Sequence, residues 1–196
     1  MATTRCLLNL RQQKFLADCL HNSDDTLDLL CSISSMNPRH VEAQTLPLLF
    51  SSLPDKAPAR TATTDRAKYW RILSALSKLC IQQELFEILV IRLSTKLDLV
   101  CMPAISSTEA HNWDFEPSAA YAHAILTALA NTLRTKVDLG HTDVPKYIDR
   151  LVSRLYNLFT YSALLPIDHN TAATDPRVIG ITAQIITLVV RTLPYQ

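Results

Sequence analysis

The sequence predicts an all-α fold, an α-solenoid of antiparallel helical hairpins with about seven to eight helices, and three observations carry that prediction. Gly supplies 2 of the 196 residues, against roughly 14 at average usage. Leu supplies 31 and Ala 20, both good helix formers. Apolar residues recur every three or four positions almost from end to end, the period of an amphipathic helix. Strand hairpins and phosphate-cradling loops lean on Gly for positive φ and close backbone approach, so its scarcity removes P-loops, dinucleotide fingerprints and nucleophile elbows together.

Each helix has its own signature. Thr4 to Leu20 and Asp24 to Met36 are helical by period, with Ser23 or Asp24 suited to cap the second. Asn37 before Pro38 is a cap and first-turn pair for a third helix, which Pro47 should kink or interrupt. In Arg66 to Ile81 the set Tyr69, Leu73, Leu76 and Cys80 forms one apolar stripe, with Thr64 or Asp65 as the expected cap. Gln82 to Cys101 repeats the stripe through Leu85, Leu89, Leu93, Leu97 and Val100, and near contiguity with the preceding helix implies an antiparallel hairpin. A second hairpin is read from Ser118 to Val137 and Val144 to Leu165, with Gly140 as the helix stop between them. The last helix, Asp175 to Leu193, opens on Asp175-Pro176 and is apolar nearly all round, which demands neighbours on every side. Gly180 inside it either admits a close helix approach or costs stability.

Helical pairs starting near Asp65, Pro117 and Asp175 step by about fifty residues, beyond the 40–47 of HEAT-type repeats. Inserted loops at residues 53–63 and 102–116, rich in Pro, Ser and Thr, make up the difference. Residues 1–196 thus form a single HEAT/armadillo-like helical-repeat segment, expected to be part of a longer solenoid; a compact bundle is the competing architecture.

At 48% apolar, 19% charged and a formal charge of +1, the chain should fold and stay soluble, and it lacks the clustered basic field that nucleic acid or an anionic membrane requires. The uncharged runs Pro117 to Leu133 and Val178 to Val190 are too polar-studded or too short to span a bilayer, and residues 1–10 lack the apolar core of a signal peptide. Cys6, Cys19, Cys31, Cys80 and Cys101 are never closer than twelve positions, the usage of reduced core-filling thiols rather than of a zinc or cluster site.

Candidate chemistry is sparse. His111, Asp114 and Glu116 around Trp113 form the one possible ligand set in a loop, and solvation explains them without a metal. His123 lies among helical alanines, where a hydrogen-bonded interior position suffices. Asp24 and Asp25 stabilise a helix N-terminus. Arg66-Ala-Lys-Tyr-Trp-Arg71 interleaves basic and aromatic residues, but helical geometry sends Tyr69 to the core stripe and Arg66 and Lys68 elsewhere, leaving a solvated face beside a core face. No residue is assigned a catalytic, cofactor or metal role, and no cofactor is expected.

Leu46-Pro-Leu-Leu-Phe-Ser-Ser-Leu-Pro-Asp-Lys-Ala-Pro-Ala-Arg60, then Arg66-Ala-Lys-Tyr-Trp-Arg-Ile-Leu-Ser-Ala-Leu-Ser-Lys-Leu-Cys80, and Glu84 onward to Cys101, resemble the HEAT-repeat family of cytosolic iron-sulfur assembly, the methyl-methanesulfonate-sensitivity DNA repair and transcription proteins, in a version of fungal character. The resemblance implies a non-enzymatic adaptor of cytoplasm and nucleus. It would bridge the cytosolic iron-sulfur targeting subunits to client apoproteins of DNA repair, replication and transcription, with no membrane and no direct nucleic-acid contact. Because the chain is shorter than family members and reads as internal, the resemblance also implies that the family's C-terminal docking region is absent or incomplete. Two other classes stay open: a metal or cluster carrier through Cys80 and Cys101, and an unrelated helical-repeat transport or nucleic-acid-binding module.

Overall fold

The structure, a computed structural model, describes residues 24–101, 115–164 and 172–193. These residues form α1 (Asp24–Met36), α2 (Pro38–His40), a π-turn (Val41–Thr45), α3 (Leu46–Ser51), α4 (Thr63–Leu79), α5 (Gln83–Cys101), α6 (Glu116–Asp138), α7 (Ile148–Leu164) and α8 (Pro176–Val190), with 3₁₀ turns at Val144–Tyr147 and Ala172–Thr174. Among the described residues there is no strand. The helix expected at Thr4 to Leu20 lies outside them.

Local sequence explains most boundaries. Asn37 accepts the His40 N–H at 3.2 Å and Pro38 takes the first helical position. Pro47 has no N–H to give and its ring crowds the carbonyl four residues back. The helix responds with the wider turn at Val41–Thr45, where the Leu46 N–H reaches the Val41 carbonyl. The interruption expected at Pro47 is therefore a π-turn rather than a break. At α8, Asp175 accepts the Arg177 N–H at 2.8 Å as Pro176 starts the helix. Gly140, at φ +71°, closes α6: His141 N–H donates to the Lys136 carbonyl at 2.9 Å and Gly140 N–H to Val137 at 3.0 Å. That pair of bonds is a Schellman stop, which needs a left-handed residue where Gly stands. One cap expectation is corrected. Helix α4 begins at Thr63 with Ala62 in the cap position and no side-chain bond, so Thr64 and Asp65 lie inside the first turn, where Asp65 favours the helix dipole.

Two layers result. Helices α1, α4, α6 and α8 pack side by side in one, while α5 and α7 pair in the other and α3 packs on α4. The closest packing falls between hairpins rather than inside them: α6 receives α4, α5 and α8. Its buried alanines, Ala119, Ala120, Ala122, Ala124, Ala128 and Ala130, explain the close approach, because small side chains let helix axes come together. Around it lie fully buried Leu73, Leu76, Leu85, Leu89 and Leu93 of the stripes read from the sequence, together with Ile72.

Among the described residues α8 does not have neighbours on every side. Val178, Thr182, Ile185, Leu188 and Val189 are buried against the stack, whereas Ile179 and Val190 are 39% and 54% exposed. Gly180 sits on the open side, and an added Cβ there would meet nothing within 4 Å, so it serves no close helix approach.

Candidate docking surface

Polar side chains tie the stack together at the end of α4. The last carbonyls of a helix have no partner within it. Here Thr132 donates to the Ser77 carbonyl at 3.2 Å, Ser34 to Leu79 at 2.9 Å, and Lys136 to Ile81, just beyond the helix, at 2.7 Å. Lys136 has no exposed surface; its Nζ lies 2.8 Å from Asp143 Oδ2, 3.3 Å from His141 Nδ1 and 4.9 Å from the Phe86 ring centre. One ammonium thus joins the turn after α4 to the turn after α6. Its chemistry is structural: cation, carboxylate and ring occupy one another, and no face is open to a substrate.

At the opposite end of α6, charges gather on the surface. Glu116 receives Arg60 at 3.3 Å, Arg66 at 3.5 Å and Arg177 at 3.7 Å, while Arg177 also holds Asp175 through two bonds of 2.9 Å. Glu116, a possible metal ligand by sequence, is committed to guanidinium groups instead; His111, Trp113 and Asp114 lie outside the described residues. His123 faces Trp70 with ring centres 6.2 Å apart. Burial, followed by the nearby Arg177 charge, pushes its imidazole below the ordinary value. Tyr69 is buried against Tyr121 at 4.7 Å and Trp70 is half-exposed, the division between core and surface that helical geometry predicts for residues 66–71.

Among the described residues Cys31 lies near enough to Cys80 to add to the rise that burial gives its thiol, and no third ligand joins them. Cys80 and Cys101 are fully buried. Burial raises the Cys80 thiol far above its usual range and pushes Cys101 up to about 12. Thiols held neutral in an apolar interior are poor ligands and poor nucleophiles. Among the described residues no group of three His, Cys, Asp or Glu side chains could hold a metal ion. No helix among them is long and apolar enough to cross a membrane.

Among the described residues a groove of about 770 Å³ between α3 and α5 can hold another molecule. Leu46, Pro47 and Phe50 line one wall and Ile88, Ile91 and Leu99 the other. The α5 wall, residues 88, 91, 92, 95, 96 and 99, is a second stripe at helical spacing beside the buried Leu85–Leu89–Leu93 stripe. It was legible in the sequence as Ile88, Ile91 and Leu99 in register, yet sequence reasoning followed the core stripe and missed it. An ion pair between Lys96 of α5 and Asp55 of the loop after α3 lies at the groove.

No curated protein and no solved structure matches the chain. One family model does: MMS19_C, RNAPII transcription regulator C-terminal, over residues 72–196. Because that model describes a C-terminal region, the family's C-terminal part is not absent from the chain, which corrects one half of the expectation that it is absent or incomplete; the matched residues run from within α4 through α8. With well over half of its length matched and an all-helical stack beneath the match, the chain belongs to the MMS19_C family of RNAPII transcription regulators.

Proposed function

We propose that the chain is a scaffold segment of a cytosolic iron-sulfur targeting adaptor, holding assembly subunits and client apoproteins of DNA repair, replication and transcription on the surfaces of its stacked helices. The coarser part is the family's own: membership supports a transcription- and repair-related adaptor role, carried by proteins that are not in general enzymes. The observation that carries the reading is the family match falling on stacked helices, whose described residues offer a broad surface and an open groove instead of a reactive constellation. Solenoids of this kind act by presenting extended surfaces to partners. Cytoplasm and nucleus are the compartments this role requires.

Affinity capture tests it. Immobilised 196-residue chain is expected to retain cytosolic assembly subunits, and with them iron-sulfur helicases or polymerases. Failure to enrich either group over an unrelated helical-repeat protein would sink the iron-sulfur reading while leaving the family assignment intact.

A further inference from the structure

We infer that the groove between α3 and α5 is a docking site for one amphipathic helix of a partner protein, a helix with an apolar ridge flanked by acidic residues on one side and basic residues on the other. Three features lead there. First, the groove is apolar and open: Ile91 and Leu99 on its α5 wall are 40% and 63% exposed, whereas a small-molecule cleft buries most of its occupant. Large exposed aliphatic residues in one row mark contact surfaces.

Second, its shape suits a helix. The lining residues of α5 run from Ile88 to Leu99, which at 1.5 Å per residue is about 16 Å, or about three helical turns. Two helices standing apart with Leu46 and Phe50 on one side and Ile88 and Ile91 on the other make the cradle used in helix-in-groove recognition, where side chains at i, i+3/i+4 and i+7 fill the trough.

Third, the two walls carry opposite charge. Glu42 stands exposed on the π-turn wall and Arg92 exposed on the α5 wall. A helix lying between them is matched by a basic flank towards Glu42 and an acidic flank towards Arg92. Such complementarity selects among partners more than it adds raw affinity. The inference rests on the adaptor reading only in taking the occupant to be part of another protein.

Synthetic peptides of about 15 residues test it, read by fluorescence anisotropy against the full chain. All share one leucine ridge at helical spacing; the flanks are mixed, both acidic or both basic. A helix turned end for end exchanges its flanks, so the mixed peptide always finds a matching orientation. It is expected to bind about two- to fivefold tighter than either single-sign peptide, the range of exposed charge pairs. Arg92→Glu puts an exposed acidic group on each wall, with Lys96 still paired to Asp55, and should pass the preference to the all-basic peptide. Ile91→Asp with Leu99→Asp should weaken all three peptides at least about tenfold; both side chains are already solvent-exposed, and an unchanged circular dichroism spectrum verifies folding. The inference is overturned if no peptide binds, if the double variant binds as wild type does, or if flank charge makes no difference. It is equally overturned if sedimentation shows self-association that Ile91→Asp/Leu99→Asp abolishes, since the groove then belongs to a second copy. A failed affinity capture with positive peptide binding removes the iron-sulfur reading and leaves the groove.

Discussion

Replacing Lys136 by Met keeps the length of a side chain with no exposed surface and removes its charge. Two groups lose their partner. The Asp143 carboxylate, 8% exposed, keeps a buried negative charge without the ammonium 2.8 Å away, and the Ile81 carbonyl loses a donor at 2.7 Å. Removing one member of a buried ion pair costs about 3–5 kcal/mol, because the stranded charge is not solvated. In a chain of this length each kcal/mol moves the melting temperature by about 2–4 °C, so Lys136→Met should lower it by about 6–20 °C. Pairing it with Asp143→Leu removes both charges, and the double variant should recover the part due to the stranded carboxylate, staying below wild type by the about 1–3 kcal/mol of the unpaired Ile81 carbonyl. Urea unfolding followed by circular dichroism measures all three variants. A single-variant loss below about 1 kcal/mol, or a double variant no better than the single, would refute the idea that this pair locks two turns together.

The two glycines should respond to alanine with opposite signs. Gly180→Ala fills open space on a helix and is expected to gain about 0.5–1 kcal/mol, whereas Gly140→Ala forces a Cβ residue to φ +71° and should lose about 1–2 kcal/mol; urea midpoints decide both. Asp175 has its carboxyl held below the ordinary 3.8 by the Arg177 side-chain bonds. Its contribution is present above the unfolded value and fades as pH falls through the lower folded one, so Asp175→Asn should flatten the acid limb of stability below about pH 4. His123, pushed below its ordinary 6.5 chiefly by burial, favours the folded state fully above that value and loses the advantage as pH falls. His123→Gln should therefore lessen the stability lost between about pH 7.5 and about pH 5.5. Native-state thiol labelling with mass-spectrometric mapping should leave Cys80 and Cys101 unmodified while the half-buried Cys31 reacts slowly; rapid labelling of either buried thiol would contradict their enclosure.

Element identities were legible because each rests on chemistry local to a few residues. Asn37-Pro38 and Asp175-Pro176 cap from their own side chains, Gly140 is needed for its positive φ, and the stripe Leu85–Leu89–Leu93 has one period and one core to face. Features made by distant residues were not. Lys136 reads as an ordinary surface lysine near a helix end until Ile81 and Asp143 arrive from two turns and Phe86 from α5. Glu116 reads as a loop carboxylate until Arg60, Arg66 and Arg177 converge on it from three segments. The groove needed α3 and α5 to stand apart, which neither helix specifies alone. At Thr64 and Asp65 a local rule misled, because either residue could cap and the helix started earlier at Thr63. At α8 the apolar count exceeded what its neighbours cover, leaving Ile179 and Val190 outside.

In the proposed adaptor role the chain holds other proteins and carries no cluster of its own. Purified anaerobically and mixed with purified cytosolic iron-sulfur targeting subunits in a sedimentation experiment, it should co-sediment as a defined complex while its own iron and sulfide stay at the blank level. Absence of any complex, with stoichiometric iron and sulfide bound to the chain alone, would contradict it.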